Sequence, residues 1–298
     1  MLKIEYSSMA LTSQNYKKKI EEALSFLNKE KIKFGVQIHN SINKELFKKI
    51  MEYKDDIEFT VHSPIFTKYL INLADEDFDL IKDTSDQAVS YLKKLNTNIF
   101  FFHGFFMSNK KIKNDLSNYR KMLLNSISNE YRIGDSIVMR PEILKSNEYK
   151  NYKNTFKINF KKLKSLYPDL IIGIENDFPG LGSGCQKAED IIECIDNLWF
   201  DTGHLWCSSI LHNFDFYKKS EELIEKLNII GVHINHNQTP RTSPPDKIYD
   251  THTHLYSESE QKLEKIIKKL YKKGLENFTL EIREGDINDI KILLGWLI

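Results

Sequence analysis

Apolar and polar positions in this chain follow two alternating patterns. Short runs of β-branched and aromatic residues recur, and most precede a Lys-, Glu- and Leu-containing segment whose apolar residues have helical spacing. The runs predict eight strands, at residues 2–6, 34–38, 57–61, 98–102, 170–174, 197–200, 229–234 and 277–280. The segments predict helices at 15–28, 44–53, 76–95, 115–128, 188–195, 216–227, 258–273 and 287–297. This alternation is typical of parallel sheets and predicts a single α/β domain over residues 1–298, a (β/α)8 TIM barrel.

One interval departs from this rhythm. The stretch between strands four and five is roughly twice as long as most of the others, which predicts an insertion there. Its middle, residues 133–144, is interpreted either as an additional β segment or as a loop over the barrel mouth. No shift in composition marks it as a separate domain.

Charge and composition limit the classes of partner. Forty-three Lys and Arg residues against 42 Asp and Glu leave a net charge of +1, so the chain has no global field that would attract polyanions. The first residues lack the apolar run of a signal peptide, and no stretch approaches the roughly 18 apolar residues of a membrane helix. The chain is therefore expected to be cytoplasmic, without membrane association. No protein partner is indicated.

Residues of metal-ligand type stand at the ends of six predicted strands. They are His62, His103, Glu175, Asp201, His233 and Glu281. The C-terminal ends of barrel strands meet on one face, so these side chains are expected to converge around one mouth. Crowded carboxylates repel one another unless they are protonated or bridged by a cation. The pattern therefore predicts a divalent-metal site, with zinc, manganese and iron all compatible with His and carboxylate ligands.

Other candidates follow in predicted loops on the same face. His204 lies three residues after Asp201, and Asp250 and His252 form an Asp-x-His pair after strand seven. His39, at the end of strand two, is a candidate for substrate binding. The remaining histidines lack a comparable position: His212, His236 and His254, of which His254 is a reserve ligand for the Asp-x-His pair.

The order of these motifs resembles the endonuclease IV (AP endonuclease family 2) branch of the xylose isomerase-like TIM barrels. The matching elements are Val61-His-Ser-Pro, Tyr69-Leu-Ile-Asn-Leu-Ala74, His103-Gly104, Glu175-Asn176, Asp201-Thr-Gly-His204, His233-Ile-Asn235, Asp250-Thr-His252 and Leu280-Glu281. They span strands three to eight. Each motif is short, and their ordered set carries the resemblance.

The resemblance implies two to three ions per chain, with zinc as the expected metal. His62, His103 and Glu175 would hold one ion, and a second would share Glu175 with Asp201, His233 and Glu281. A third would lie between His204, Asp250 and His252. The activity that this implies is metal-dependent hydrolysis of phosphoester bonds, with Glu175, Glu281 and His204 as the catalytic candidates.

The chain also departs from that family. It lacks the Gly-x-Gly element that the endonucleases carry soon after the Asp-x-His pair, and it lacks the basic residue in the loop after strand two with which they enter DNA. These departures favour a small phosphorylated or carbohydrate substrate, with damaged DNA as the other option.

A metal-dependent sugar or sugar-phosphate isomerase or epimerase is the alternative. Relatives on the same barrel use one ion, and this resemblance implies that Glu175, Asp201, His233 and Glu281 would hold it here, with Glu175 and Glu281 as the acid/base pair. The residues outside this quartet distinguish the two functions, because an isomerase has no need of a third ion.

Overall fold

The eight predicted strands are confirmed. In the computed structural model, which describes residues 1–108, 110–114, 121, 124, 128–180 and 182–298, each lies within two residues of its predicted bounds. They are β1 (Lys3–Ser7), β2 (Lys33–Ile38), β3 (Glu58–Ser63), β4 (Ile99–Phe102), β5 (Ile171–Glu175), β6 (Asn197–Asp201), β7 (Asn228–Ile234) and β8 (Asn277–Leu280). Neighbours pair in parallel, and β8 pairs with β1, which closes the barrel. The predicted α/β TIM barrel is therefore confirmed.

Helices surround this barrel, and most of their boundaries lie within about three residues of those predicted, but the helix predicted at 258–273 begins only at Glu264. The described α-helices are Tyr16–Lys29, Lys44–Ile50, Phe78–Lys94, Asn147–Leu166, Ala188–Cys194, Thr202–Leu211, Phe216–Lys226, Glu264–Lys272 and Ile287–Leu297. Asn43, Asp77 and Asp215 accept backbone N–H bonds at helix starts, which is the preferred use of Asn and Asp at that position.

Two of these helices are absent from the sequence prediction. Thr202–Leu211 has nearly all of its residues buried, so it lacks the polar face that makes a helix recognisable, and the expected loop around His204 was wrong. Asn147–Leu166 buries Tyr149, Tyr152, Phe156 and Leu163 at helical spacing. The helix predicted at 115–128 lies almost wholly outside the described residues.

The chain between β4 and β5 passes beside the barrel mouth. Isolated antiparallel bridges join Phe106 to Ser183 and Val138 to Gly180, and residues Pro141–Lys145 form a 3-10 turn before the long helix. Residues 133–144 thus contain single bridge positions and a turn, without a further strand. The insertion as such stays a prediction.

Aromatic side chains fill the barrel interior below the strand ends. The rings of Phe101 and Trp199 stack with centroids 3.8 Å apart, and both are fully buried. Gly231 makes room for this pair, because a Cβ atom there would lie 2.3 Å from the Trp199 ring. His233 and His62 contact the same rings from above, with centroid distances of 5.5 Å for His233–Trp199 and 5.4 Å for His62–Phe101. The stacked pair therefore forms the floor of the mouth.

No α-helix in the described part of the chain is long and apolar enough to cross a membrane. The cysteines Cys185, Cys194 and Cys207 are buried and form no disulfide bond.

Gly231→Ala should destabilise the fold by about 1–3 kcal/mol, because the added methyl group would displace the Trp199 ring in a packed interior. Urea unfolding of purified protein measures this change. Gly295→Ala is the matched control, since its Cβ would meet nothing within 4 Å in the helix Ile287–Leu297 and should stabilise by about 0.5–1 kcal/mol. Equal stability of wild type and Gly231→Ala would contradict the described packing.

Candidate metal centre

Glu175, at the end of β5, is the point on which the strand-end histidines converge. Its Oε2 lies 2.9 Å from His62 Nε2 and 3.6 Å from His103 Nε2. Its Oε1 lies 2.8 Å from His233 Nδ1 and 3.8 Å from His204 Nδ1. Three strand ends and the first turn of the helix Thr202–Leu211 thus each place an imidazole beside one carboxylate that is completely buried.

A group of four ligand-type side chains surrounds His233. The ligand atoms of Glu175, Asp201, His233 and Glu281 all lie within 4.8 Å of one another. His233 Nδ1 lies 3.4 Å from Asp201 Oδ2 and 3.5 Å from Glu281 Oε2. Tetrahedral ligands about 2.1 Å from a zinc ion are roughly 3.4 Å apart, so these spacings are compatible with a shared cation.

A third group, made up of His204, Asp250 and His252, lies beside Asp201. Asp201, His204 and Asp250 have ligand atoms within 4.8 Å of one another. Asp250 Oδ2 lies 3.3 Å from His204 Nε2 and 3.2 Å from His252 Nε2. His252 has φ +47°, in the left-handed region that costs a non-glycine residue about 1–2 kcal/mol. The fold therefore holds this imidazole in place at an energetic cost.

Acceptors outside the centre fix the orientation of two imidazoles. His103 Nδ1 lies 2.7 Å from Asp177 Oδ1, and His204 Nδ1 lies 2.9 Å from the carbonyl oxygen of Asn176. Donation to these acceptors leaves the Nε2 lone pair of each ring directed at the centre. Ligand histidines in metalloproteins are oriented in the same way.

Two of the three remaining imidazoles follow the same rule, whereas His62 Nδ1 is buried without a hydrogen-bond partner. His233 Nε2 lies 2.8 Å from Gln37 Oε1, so its Nδ1 is left for the carboxylates. His252 Nδ1 lies 3.0 Å from the carbonyl oxygen of Glu281, so its Nε2 is left for Asp250. Four imidazoles with one nitrogen occupied and the other aimed at buried carboxylates have the arrangement that metal ligands adopt in metalloproteins, so they could hold a metal ion.

Three buried carboxylate oxygens in the centre accept no hydrogen bond, namely Glu175 Oε2, Asp201 Oδ2 and Asp250 Oδ2. Asp201 shows how this arises, because its Oδ1 accepts the His204 N–H at 2.6 Å and begins the helix Thr202–Leu211. Its second oxygen is left facing the group. Buried anionic oxygens without donors fit a cation, so the residues present suit a divalent metal.

Charge in the metal-free centre is balanced by protons. Burial, opposed by His233 and His252, raises the pKa of Glu281 to about 7. Burial would also raise the pKa of Asp250, but the positive charges of His252 and His204 outweigh it and lower this pKa to about 2. Burial lowers the pKa of His233, yet the Glu281 and Glu175 charges raise it well above its usual value. A bound cation would replace these protons.

The remaining histidines have different surroundings. His39 reaches the rim of the centre, where its Nε2 lies 3.8 Å from Glu281 Oε1. His212 contacts Gln186, His236 contacts a backbone carbonyl, and His254 contacts Asp289. The structure therefore keeps His254, the reserve ligand, away from Asp250.

Sequence reasoning missed three residues of this region. Gln37 is the isolated polar residue of the apolar strand β2, a signal that was present but unused. Asp177 stands two residues after Glu175, just beyond the end of β5. Arg283, two residues after Glu281, lines both cavities at the mouth, of about 310 Å³ and about 200 Å³.

No protein-family model matches the chain, and no curated protein matches its sequence. Solved structures with a similar fold include a D-tagatose 3-epimerase-like protein, with a TM-score of 0.64 and 19% identity over 99% of this chain and 97% of that one. AP endonuclease, family 2, from Brucella melitensis has a TM-score of 0.59 and 10% identity, with 96% and 95% covered. 3-Keto-D-glucoside 4-epimerase from E. coli has a TM-score of 0.53 and 12% identity, with 100% and 99% covered.

These similarities show the fold. The chain has a TIM-barrel fold similar to that of an epimerase-like protein, a sugar epimerase and an AP endonuclease, so the predicted resemblance is confirmed at the level of the fold. A fold that supports both activities does not choose between them. The choice must come from the side chains at the mouth.

Gln37→Leu should weaken metal binding about 10- to 100-fold, because His233 loses the acceptor that orients its ring. Competition with a chromophoric chelator measures this affinity. Thr60→Val is the matched control, since Thr60 donates to Glu5 in the same buried interior without contacting His233. Equal losses of affinity in both variants would show that Gln37 acts only through general stability.

Metal binding should strengthen as pH rises from 6 to 8. Glu281, with a pKa of about 7 in the metal-free protein, must lose its proton to become a ligand. Below that pKa, each released proton should change the apparent dissociation constant by up to about tenfold per pH unit. Isothermal titration calorimetry in buffers of different ionisation enthalpy measures both affinity and proton release. A constant affinity without proton release would contradict the described centre.

Proposed function

We propose that this chain is a divalent-metal-dependent hydrolase of phosphoester bonds, with two or three ions at the barrel mouth and zinc as the expected metal. The supporting observation is the third group, in which His204 and His252 both aim Nε2 at Asp250. An isomerase that works with the quartet of Glu175, Asp201, His233 and Glu281 has no use for it. A hydrolase does use an additional cation, because it must neutralise negative charge on a phosphoryl group.

The residues divide into ligand sets that share Glu175. His62 and His103 would hold one cation with Glu175, and Asp201, His233 and Glu281 would hold a second with the same carboxylate. His204, Asp250 and His252 would hold a third. Divalent cations held there would neutralise the negative charge that develops on a phosphoryl group and on its leaving oxygen.

The chain's own residues supply orientation and proton control. Gln37 and Asp177 fix the rings of His233 and His103 by hydrogen bonds. The stacked Phe101 and Trp199 rings close the barrel below the centre and exclude water from that side. His39, at the rim, is placed to donate a hydrogen bond to a substrate oxygen.

A sugar or sugar-phosphate epimerase is the second candidate. Glu175 and Glu281 both lie within 3.5 Å of His233 Nδ1, and burial raises the pKa of Glu281 to about 7, a value suited to proton transfer. The D-tagatose 3-epimerase-like structure, with a TM-score of 0.64, supports this candidate at the level of the fold.

His204→Ala separates the two candidates. We expect the wild type to bind at least two ions per chain. The variant should bind one ion fewer, and its phosphoesterase activity should fall at least about 100-fold. Metal analysis by plasma mass spectrometry and a phosphate-release assay measure these quantities. His212→Ala, which changes a histidine outside the centre, should keep both.

One ion in the wild type, retained in His204→Ala together with an epimerase activity, would contradict the hydrolase and support the second candidate. Glu281→Gln should abolish turnover in either case, because it removes both a ligand and a candidate base.

A further inference from the structure

A cavity of about 200 Å³ lies directly beside the third group. His204, Asp250 and His252 line one side of it. Its other sides combine the polar side chains of Arg283, Tyr249, His103, Asp177 and Ser183 with apolar ones. Such a mixture of an apolar wall and a few convergent polar groups is typical of a small-molecule site.

Arg283 is the cation of this cavity. Its Nη2 donates to the Tyr249 hydroxyl at 3.2 Å, and its backbone N–H donates to the His252 carbonyl at 3.4 Å. Among the described residues, its guanidinium forms no ion pair with a carboxylate. Arg283 also lines the neighbouring cavity over His62 and Glu281, so it stands where the two cavities meet. The guanidinium is always charged and offers several N–H donors in one plane, so in this position it is suited to bind an anionic group of a ligand.

Apolar side chains form the opposite wall. Phe106, Ile137 and Phe178 line the same cavity. The bridges from Phe106 to Ser183 and from Val138 to Gly180 hold the segments that carry them. This wall belongs to the chain between β4 and β5 and to the loop after β5, so the mouth is narrowed on the side of the third group.

We infer that this cavity is the substrate site for a small phosphomonoester. Its phosphate lies between Arg283, the Tyr249 hydroxyl and the third group, and its leaving group packs against Phe106 and Phe178. This inference rests on the proposed hydrolase function and adds the substrate class to it. Hydrolysis forms a bond from a water oxygen to phosphorus and breaks the ester P–O bond, and the proton lost by water ends on the leaving oxygen. Water is the only co-reactant.

A nucleic-acid duplex fits this mouth poorly. Arg283 is the only Arg or Lys that lines either mouth cavity among the described residues. Non-specific DNA affinity comes from many phosphate contacts, commonly about 6–10, which a single cation does not supply. A cavity of about 200 Å³ is also below the range of about 300–1,000 Å³ for drug-sized ligands, so it favours a small molecule.

Arg283→Gln tests the subsite in the metal-loaded protein. We expect the KM for 4-nitrophenyl phosphate and the inhibition constant of inorganic phosphate both to rise about 10- to 100-fold, because a charge-assisted hydrogen bond is lost. Arg283→Lys should restore part of this loss, since it keeps the charge without the planar fork. Metal content should equal that of the wild type in both variants. Arg140→Gln, an exposed arginine that lines neither cavity, is the matched control and should change nothing.

Phe178→Ala separates the apolar wall from the anion site. It should raise the KM for the aryl ester while leaving phosphate inhibition unchanged, because only the leaving group packs there. Wild-type protein should prefer the monoester over both bis(4-nitrophenyl) phosphate and an abasic duplex. Efficient incision of the duplex that falls steeply with salt would overturn the inference and support a repair endonuclease.

Failure of the subsite and failure of the hydrolase can be distinguished. If no ester is hydrolysed, calorimetric binding of inorganic phosphate to metal-loaded protein still reports on Arg283. If no ester is hydrolysed but Arg283→Gln loses phosphate binding, the anion site is supported and the hydrolase function is contradicted. Unchanged phosphate binding in Arg283→Gln overturns the subsite, whatever the activity of the wild type.

Discussion

The mouth of this barrel depends on keeping several carboxylates buried close together. Glu175 and Asp201 are fully buried, and Glu281 and Asp250 are nearly so. Each buried anion costs several kcal/mol in lost hydration unless nearby positive charge or donors compensate. Here four imidazoles within 4 Å of Glu175 supply that charge only when they are protonated, and a cation bound between the groups would supply it at any pH. The barrel geometry is what brings these costly groups together.

Much of this arrangement could be predicted because strand ends are easy to recognise. Each apolar run of β3 to β8 ends at or just before a His, Asp or Glu, and parallel closure then places those residues on one face. His204 was predicted at the right face but in a loop, because the buried helix Thr202–Leu211 has no polar stripe to reveal it. The helix Asn147–Leu166 had a clear apolar spacing, and the prediction overlooked it by placing the helix of that interval earlier in the chain.

Other features of the site require three-dimensional contacts. Gln37 and Asp177 each orient one imidazole, yet they lie 196 and 74 residues from His233 and His103 along the chain. No local pattern connects such pairs. The apolar wall at the mouth depends on two isolated bridges, which leave no periodic signal in the sequence. Arg283 looked like an ordinary surface arginine because its role depends on the cavities that meet beside it.

Anomalous diffraction from crystals of the metal-loaded protein, recorded at the absorption edge of the added metal, tests the central claim most directly. We expect at least two anomalous peaks at the mouth, with Glu175 bridging two ions, or with one ion in the quartet and a second among His204, Asp250 and His252. A single peak in the quartet of Glu175, Asp201, His233 and Glu281, or peaks only elsewhere on the protein, would contradict a multinuclear centre.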